Sequence, residues 1–175
     1  MGESGVMEWF SGIHGTPLDI LFEGLSYSAT AGIIWLVLGA LIMWSGRRAD
    51  GASMMLSVVL ALCICDLVLK PIVDRDRPFD ELDLDVLMSI PTTSSFPSGH
   101  TASAFAGAVS LLMIDRRWGM AALAYAALVA LSRVYVCAHW PTDVMAGAVL
   151  GAAMAAIVFY AVRRCGSNRS ESTEL

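Results

Sequence analysis

The sequence predicts an all-α fold: an integral membrane helical bundle of about five to six transmembrane helices with an N-terminal interfacial helix. The composition supports this, because 57% of the 175 residues are hydrophobic and only 15% are charged, proportions that soluble domains rarely have. The apolar residues also gather in long stretches, as a helix that crosses the hydrocarbon layer requires about 20 such residues. These stretches are residues 25–44, 52–69, 101–114, 118–131 and 142–162.

The N-terminal segment and the two shorter apolar stretches need separate predictions. Residues 7–23 mix aromatic and aliphatic side chains with acidic ones and contain Pro17, which favours a short interfacial helix over a sixth span. The third and fourth stretches are shorter than a full span, so we expect them to extend through their polar flanks. We expect one domain over residues 1–165, with its core at 52–162, and a polar C-terminal tail over 166–175 that is disordered.

Positive charge marks one side of the predicted bundle. Arg47-Arg48, Arg116-Arg117 and Arg163-Arg164 fall on the same side if all five stretches cross, and the positive-inside rule assigns that side to the cytoplasm. The loop 70–100 and the connection 133–143 then lie outside. We therefore expect a multi-pass protein of the cell inner (plasma) membrane whose functional residues face the extracytoplasmic side.

Charge and cysteine content exclude several classes of partner. The net charge is −5, whereas a nucleic-acid-binding protein needs clustered Lys and Arg, so we expect no nucleic acid as partner. The four cysteines show neither a disulfide framework nor metal-binding spacing, and we expect them to be inert. Gly147 and Gly151 form a GxxxG pattern in the last stretch, which we interpret as close packing of helices within one chain rather than dimerisation.

Three polar clusters lie next to span ends on the predicted outer side. They are Lys70-Pro-Ile-Val-Asp-Arg-Asp-Arg77-Pro78, Pro97-Ser98-Gly99-His100, and Ser132-Arg133 followed by His139 and Asp143. Arg offers a planar donor fork for phosphate oxygens and Lys adds a compact charge. The start of a helix at Ser98-Gly99-His100 adds free backbone N–H groups and the positive end of the helix dipole. Together they predict a site for a tetrahedral anion such as phosphate.

Two histidines supply candidate chemistry at this site. His139 and Asp143 are four residues apart and share a helix face, so the carboxylate can accept a hydrogen bond from one ring nitrogen and leave the other nucleophilic. We expect His139 to attack phosphorus. His100, on another helix, is then the general acid that protonates the departing oxygen and later activates water.

These three motifs, in this order and spacing, resemble the type 2 phosphatidic acid phosphatase (PAP2) superfamily. The resemblance implies a helical-bundle membrane enzyme that needs no metal and no cofactor and forms a phosphohistidine on His139. It also implies that Asp143 orients this histidine, that His100 is the acid, and which side chains hold the phosphate. Those are Lys70, Arg77, Ser98, Gly99 and Arg133.

The residues within the motifs make the resemblance more specific. Ser-Phe-Pro-Ser-Gly-His and His-Trp-Pro-Thr-Asp are similar to those of bacterial undecaprenyl-diphosphate phosphatases, which implies a lipid phosphate as substrate and the bilayer as partner. Family members that act on phosphatidylglycerophosphate, phosphatidate or lipid A phosphate have similar wording, so the substrate stays open. The vanadium-dependent haloperoxidases of the family are longer, soluble chains, and the composition argues against that activity.

Rival interpretations come from other classes of protein. A transporter or channel for an anion or a lipid also keeps charges within its spans, although it would spread them through the membrane depth. A metal-dependent hydrolase could use His100, His139 and Asp143 as ligands.

Several polar residues have open roles. We expect Asp66 to support Lys70, and His14 to be an ordinary interfacial residue. Arg75 either supports phosphate binding or offsets its acidic neighbours. An acidic run forms a solvated lid or, with less support from its spacing, a divalent cation site; it consists of Asp80, Glu81, Asp83 and Asp85.

Overall fold

The structure is a computed structural model that describes residues 2–89 and 93–171, with side chains as far as Cys165. Helices and loops make up all of this described part, which confirms the all-α prediction. The helices are α1 (Glu3–Ser11), α2 (Leu18–Ser28), α3 (Ile33–Trp44), α4 (Arg48–Cys63), α5 (Lys70–Val73), α6 (Pro78–Leu82), α7 (Gly99–Ile114), α8 (Arg116–Tyr135) and α9 (Pro141–Glu171).

Each predicted membrane stretch corresponds to helical structure. Three helices within the described ranges are long and apolar enough to cross a membrane: Arg48–Leu82, Arg116–Tyr135 and Pro141–Cys165. Leu18–Ser28 and Thr30–Trp44 form a pair bent by 41° that makes a fourth candidate span. Helix α7 is apolar but shorter. The membrane helical bundle is therefore confirmed.

The N-terminal segment differs from the single interfacial helix expected over residues 7–23. It forms two helices, because the chain turns at Gly15, whose φ of +85° suits glycine, and α2 begins directly after Pro17. Helix α2 joins the bent candidate span. Helix α1 instead packs against the end of α8 and the connection that follows, with its Met7 fully buried in an apolar cluster.

Helix α7 lies at the centre of the bundle, in contact with α4, α8 and α9. Its buried face carries small residues, among them Ala102, Ala106 and Gly107. Small side chains let neighbouring backbones approach: a Cβ on Gly147 would lie 2.6 Å from the Ser98 carbonyl oxygen, and one on Gly151 would collide with the Ala102 carbonyl. The GxxxG pattern thus packs within the chain, as predicted.

The two ends of the bundle carry different side chains. At one end, Arg47 donates to the Ile114 carbonyl at 3.4 Å, and Arg163 lies 3.8 Å from Asp50, so these arginines share a side. Helix α4 runs to the opposite end through a π-helical turn, Ile64–Leu69, into α5. The three sequence motifs lie at that opposite end.

The C-terminus and the cysteines complete the fold. The α9 backbone continues to Glu171, so the first part of the predicted disordered tail is helical, while residues 172–175 of that tail lie outside the described residues. Cys63 and Cys165 are exposed and Cys65 and Cys137 are buried, all as free thiols.

Candidate active site

A cavity of about 130 Å³ opens where the three motifs meet. It lies at the ends of α5, α7 and α8, beside the bend between α2 and α3. Positive and imidazole side chains from all three motifs line it, together with two further polar or small residues and two apolar ones. The lining residues are Lys70, Arg77, Arg133, His100, His139, Asp66, Gly99, Ala31 and Leu62.

The basic groups of the first motif are held in place by oxygen acceptors. Lys70 Nζ lies 2.6 Å from Asp66 Oδ1, which places Asp66 where it supports Lys70. Arg77 is 3% exposed, and its Nε and Nη1 donate to the carbonyls of Thr93 and Ala138, each at 2.9 Å. These bonds orient the Arg77 guanidinium within the cavity wall.

Arg133 has fewer hydrogen-bond acceptors than Arg77. It is 2% exposed; its Nη1 donates to the sulfur of Met88 at 3.4 Å, a weak acceptor, and its buried Nε has no hydrogen-bond partner among the described residues. A buried donor without an acceptor costs about 1–3 kcal/mol. An anion in the cavity can supply the oxygen acceptors that Arg133 lacks.

The second motif forms the start of α7. Gly99 and His100 lie in its first turn, whose N–H groups have no acceptor within the helix, and both residues line the cavity. Ser98 is buried: its N–H donates to the Asp143 carbonyl at 3.1 Å, and its Oγ accepts from Thr101 at 3.1 Å. Ser98 does not line the cavity in the described part of the chain, so its contact with phosphate stays a prediction.

The geometry around His139 differs from the expected direct hydrogen bond to Asp143. His139 Nδ1 lies 2.7 Å from the carbonyl oxygen of Ser95 and 3.8 Å from Asp143 Oδ2. A carbonyl can only accept, so Nδ1 carries the proton and Nε2 keeps its lone pair. The carboxylate has other donors: Asp143 Oδ2 accepts from Ser95 Oγ and from the Trp140 N–H, and Oδ1 accepts from Arg75.

His139 is neutral at physiological pH. Burial lowers the pKa of His139 to about 4, with the charges of Arg133 and Arg77 acting in the same direction and the Asp143 carboxylate opposing them. A group with this pKa binds its extra proton only in acid, so the imidazole is uncharged near pH 7. With the proton on Nδ1, Nε2 carries the free lone pair.

The structure adds two residues to the predicted set. Ser95 uses its hydroxyl on Asp143 and its carbonyl on His139; its partners are more than 40 positions away, so no local spacing could have indicated it. Arg75, whose role was open, pairs with Asp143 and with Glu3 at 2.7 and 2.8 Å. Its neighbours in the sequence, Asp74 and Asp76, do not form an ion pair with it.

The remaining polar candidates lie outside this site. His14 Nε2 bonds the carbonyl oxygen of Tyr135 at 2.8 Å. Asp80, Glu81, Asp83 and Asp85 are exposed, in agreement with a solvated segment. Within residues 2–89 and 93–171, no group of three or more His, Cys, Asp or Glu side chains is arranged to hold a metal ion.

Comparisons with known proteins agree with the motifs and the fold. Residues 50–167 match the sequence model of the PAP2 superfamily. The undecaprenyl-diphosphatase of Sulfolobus acidocaldarius is 37% identical over 121 residues, which make up 67% of this chain and 58% of that protein. The chain thus spans less than two thirds of that relative's length.

Solved structures share the architecture. The crystal structure of Aquifex aeolicus LpxE matches with a TM-score of 0.78 and 25% identity, over 89% of this chain and 93% of that one. That of a transmembrane PAP2 type phosphatidylglycerolphosphate phosphatase from Bacillus subtilis matches with a TM-score of 0.74 and 24% identity, over 95% and 85%. Helices of membrane-spanning length, this shared fold and three motifs around one cavity lead to one conclusion: the chain is a membrane protein and belongs to the PAP2 superfamily.

Proposed function

We propose that this chain is a hydrolase that removes a phosphate group from a membrane lipid through a phosphohistidine intermediate. The observation that carries the proposal is the cavity, where three basic side chains and two imidazoles meet: Lys70, Arg77, Arg133, His100 and His139. Such fixed donors stabilise the charge on the equatorial oxygens of a phosphoryl group in transfer.

The reaction proceeds in two displacements at phosphorus. His139 Nε2 attacks, a P–N bond forms, and the P–O bond to the lipid breaks while His100, protonated when the anionic lipid phosphate is bound, gives its proton to the departing oxygen. His100 then takes a proton from water, the hydroxide attacks the phosphohistidine, and the P–N bond breaks to release phosphate. Lys70, Arg77, Arg133, Ser98 and Gly99 hold the phosphate in this scheme, and Asp143 orients the site. It uses groups of the protein alone, without metal or cofactor.

The substrate that we propose is undecaprenyl diphosphate, which loses its terminal phosphate. The motif wording and the 37% identical relative named undecaprenyl-diphosphatase support it. Phosphatidylglycerophosphate, phosphatidate and lipid A phosphate present the same phosphate chemistry to the cavity and are the alternatives that the test compares. We place the site on the extracytoplasmic side of the inner membrane, because Arg47 and Arg163 lie at the opposite end of the bundle and the positive-inside rule assigns such arginines to the cytoplasm.

A second candidate function, transport of an anion or a lipid, makes a different prediction. It requires charges along the membrane depth. In the described residues the groups that line the cavity gather at one end of the bundle instead, which favours hydrolysis.

Phosphate release in detergent tests the proposal. Purified protein is incubated with each of the four lipids, with and without EDTA, as wild type, His139→Ala and the control His14→Ala, which changes a histidine outside the cavity. We expect EDTA-resistant release that falls on the order of 10³-fold or more in His139→Ala and persists in the control. Loss of activity with EDTA would favour the metal-dependent hydrolase, and release unchanged in His139→Ala, or no release from any lipid, would overturn the proposal.

A further inference from the structure

Helix α1 contacts the site although it lies outside residues 50–167, the part of the chain that matches the family. Glu3 of this helix makes the contact. One of its carboxylate oxygens, Oε2, accepts a hydrogen bond from Arg75 Nη2 at 2.8 Å. The other oxygen, Oε1, accepts hydrogen bonds from the backbone N–H and the hydroxyl of Thr142, at 2.9 and 2.8 Å. Thr142 precedes Asp143 in the first turn of α9, so Glu3 ties α1 to the start of that helix.

Arg75 connects Glu3 with Asp143 at the centre of the site. Its Nη1 donates to Asp143 Oδ1 and to Thr142 Oγ1, each at 2.7 Å, and its guanidinium lies 5.1 Å from the centre of the Trp140 ring. Two carboxylates and one aromatic face therefore hold the guanidinium in a single orientation. Asp143, at the inner end, is fully buried.

The chain of contacts continues to the nucleophile. Asp143 accepts from the hydroxyl of Ser95, and the carbonyl of Ser95 accepts from His139 Nδ1. Asp143 and Ser95 are both buried, and each is hydrogen-bonded to the member before it and the member after it in this series. The hydrogen bonds thus form a continuous path from Arg75 to His139.

Apolar packing fixes α1 in the position that this contact needs. Met7 is fully buried with Cys137, Trp140 and Val144, next to the connection that carries His139. Because this packing already orders the helix, little further entropy is lost when Glu3 binds Arg75. An isolated exposed ion pair contributes little, but Glu3 is held by three donors on a docked helix.

Glu3 is charged at neutral pH. Burial alone raises the pKa of its carboxyl, but the hydrogen bonds from Thr142 and Arg75 outweigh burial and hold the pKa below its usual value. The carboxylate is therefore present in the pH range where His139 is neutral.

We propose that Glu3 is a positioning residue that acts through Arg75 on Asp143, so that helix α1 is a working part of the active site. This inference rests on the proposed phosphatase function. Without the Glu3 carboxylate, the outer nitrogen of Arg75 loses its acceptor, the guanidinium moves more freely, and Asp143 and His139 lose their fixed geometry. Lipid binding in the cavity does not involve Glu3.

Steady-state kinetics of Glu3→Gln test this role, with Glu8→Gln as the control, since Glu8 is exposed on the same helix and its change removes the same charge. We expect kcat to fall about tenfold in Glu3→Gln with KM within twofold of wild type, and the control to match wild type. Arg75→Met should lower kcat further, and the double variant Glu3→Gln, Arg75→Met should be no worse than Arg75→Met, because both act along one route. Unchanged kcat in Glu3→Gln, or effects that multiply in the double variant, would overturn the inference.

Amide hydrogen exchange separates this inference from the proposed function. Glu3→Ala removes the acceptor of the Thr142 N–H, so exchange over the peptide that contains Trp140 and Thr142 should rise about tenfold, while Glu8→Ala should leave it unchanged. If wild type hydrolyses no lipid, the proposed function fails, and the exchange result still decides whether Glu3 holds the start of α9. Equal exchange in both variants would show that it does not.

Discussion

One serine, Ser95, sets the protonation state of His139, the proposed nucleophile. The Ser95 carbonyl accepts a hydrogen bond from His139 Nδ1, which must therefore carry a proton. The Ser95 hydroxyl donates to Asp143 Oδ2, the carboxylate oxygen that lies 3.8 Å from the same nitrogen. Asp143 therefore acts on His139 through Ser95 as well as through its charge. A buried carboxylate without this donor would lose part of its orientation.

Ser95→Ala tests this arrangement at the scale of the residue. The variant keeps the carbonyl but removes the hydrogen bond to Asp143, so we expect kcat to fall about tenfold, the equivalent of about 1.4 kcal/mol. Ser110→Ala is the matched control, because the Ser110 hydroxyl is buried but has no partner among the described residues. Equal kcat in the two variants, measured as phosphate release from the preferred lipid, would contradict the role of Ser95.

At the scale of the element, α7 and α9 must approach closely for the motifs to meet. Gly147 and Gly151 of α9 face the α7 backbone at Ser98 and Ala102, and the same two helices carry His100 and Asp143. Any side chain at these glycines separates the helices. Backbone contact is thus a condition for the geometry of the site as well as for stability.

Gly151→Ala should destabilise the bundle by about 1–3 kcal/mol, because its Cβ would collide with the Ala102 carbonyl, which is backbone and cannot rotate away. Thermal unfolding in detergent, followed by tryptophan fluorescence, should show a Tm lower by about 3–10 °C. Gly24→Ala is the control: a Cβ there has no neighbour within 4 Å, and alanine favours helix over glycine, so its Tm should stay equal or rise. A Tm for Gly151→Ala at or above that of Gly24→Ala would contradict the packing.

At the scale of the whole molecule, the bundle has two chemically different ends. Arg47 and Arg163 contact neighbours at one end, and the cavity lies at the other. The positive-inside rule then predicts that the cavity faces outward. A lipid phosphate on the outer leaflet would reach it directly.

Labelling of single cysteines in intact cells tests this orientation. In a background whose four cysteines are replaced and whose activity is retained, Asp85→Cys should react with a membrane-impermeant maleimide, because residue 85 is exposed near the cavity end. Ser45→Cys, exposed in the connection between α3 and α4, should react only after the membrane is permeabilised. The reverse pattern would place the site in the cytoplasm.

The sequence by itself determined the membrane bundle, its five helical stretches and five of the side chains that line the cavity. Long apolar runs have few alternatives to helices in a bilayer, and Lys70, Arg77, His100, Arg133 and His139 could be found because three motifs repeat the same chemistry next to span ends. The GxxxG pattern also indicated close packing, since its spacing places both glycines on one face.

Only the tertiary structure decided which groups hold and orient His139, the proposed nucleophile. The four-residue spacing predicted that His139 would bond Asp143 directly, but the Ser95 carbonyl takes that place, and Asp143 bonds Arg75, Ser95 and Trp140 instead. It also decided that α1 docks beside the site through Glu3. The physical reason is that helical periodicity determines which residues of one segment share a face, whereas hydrogen bonds between segments depend on how distant parts of the chain pack.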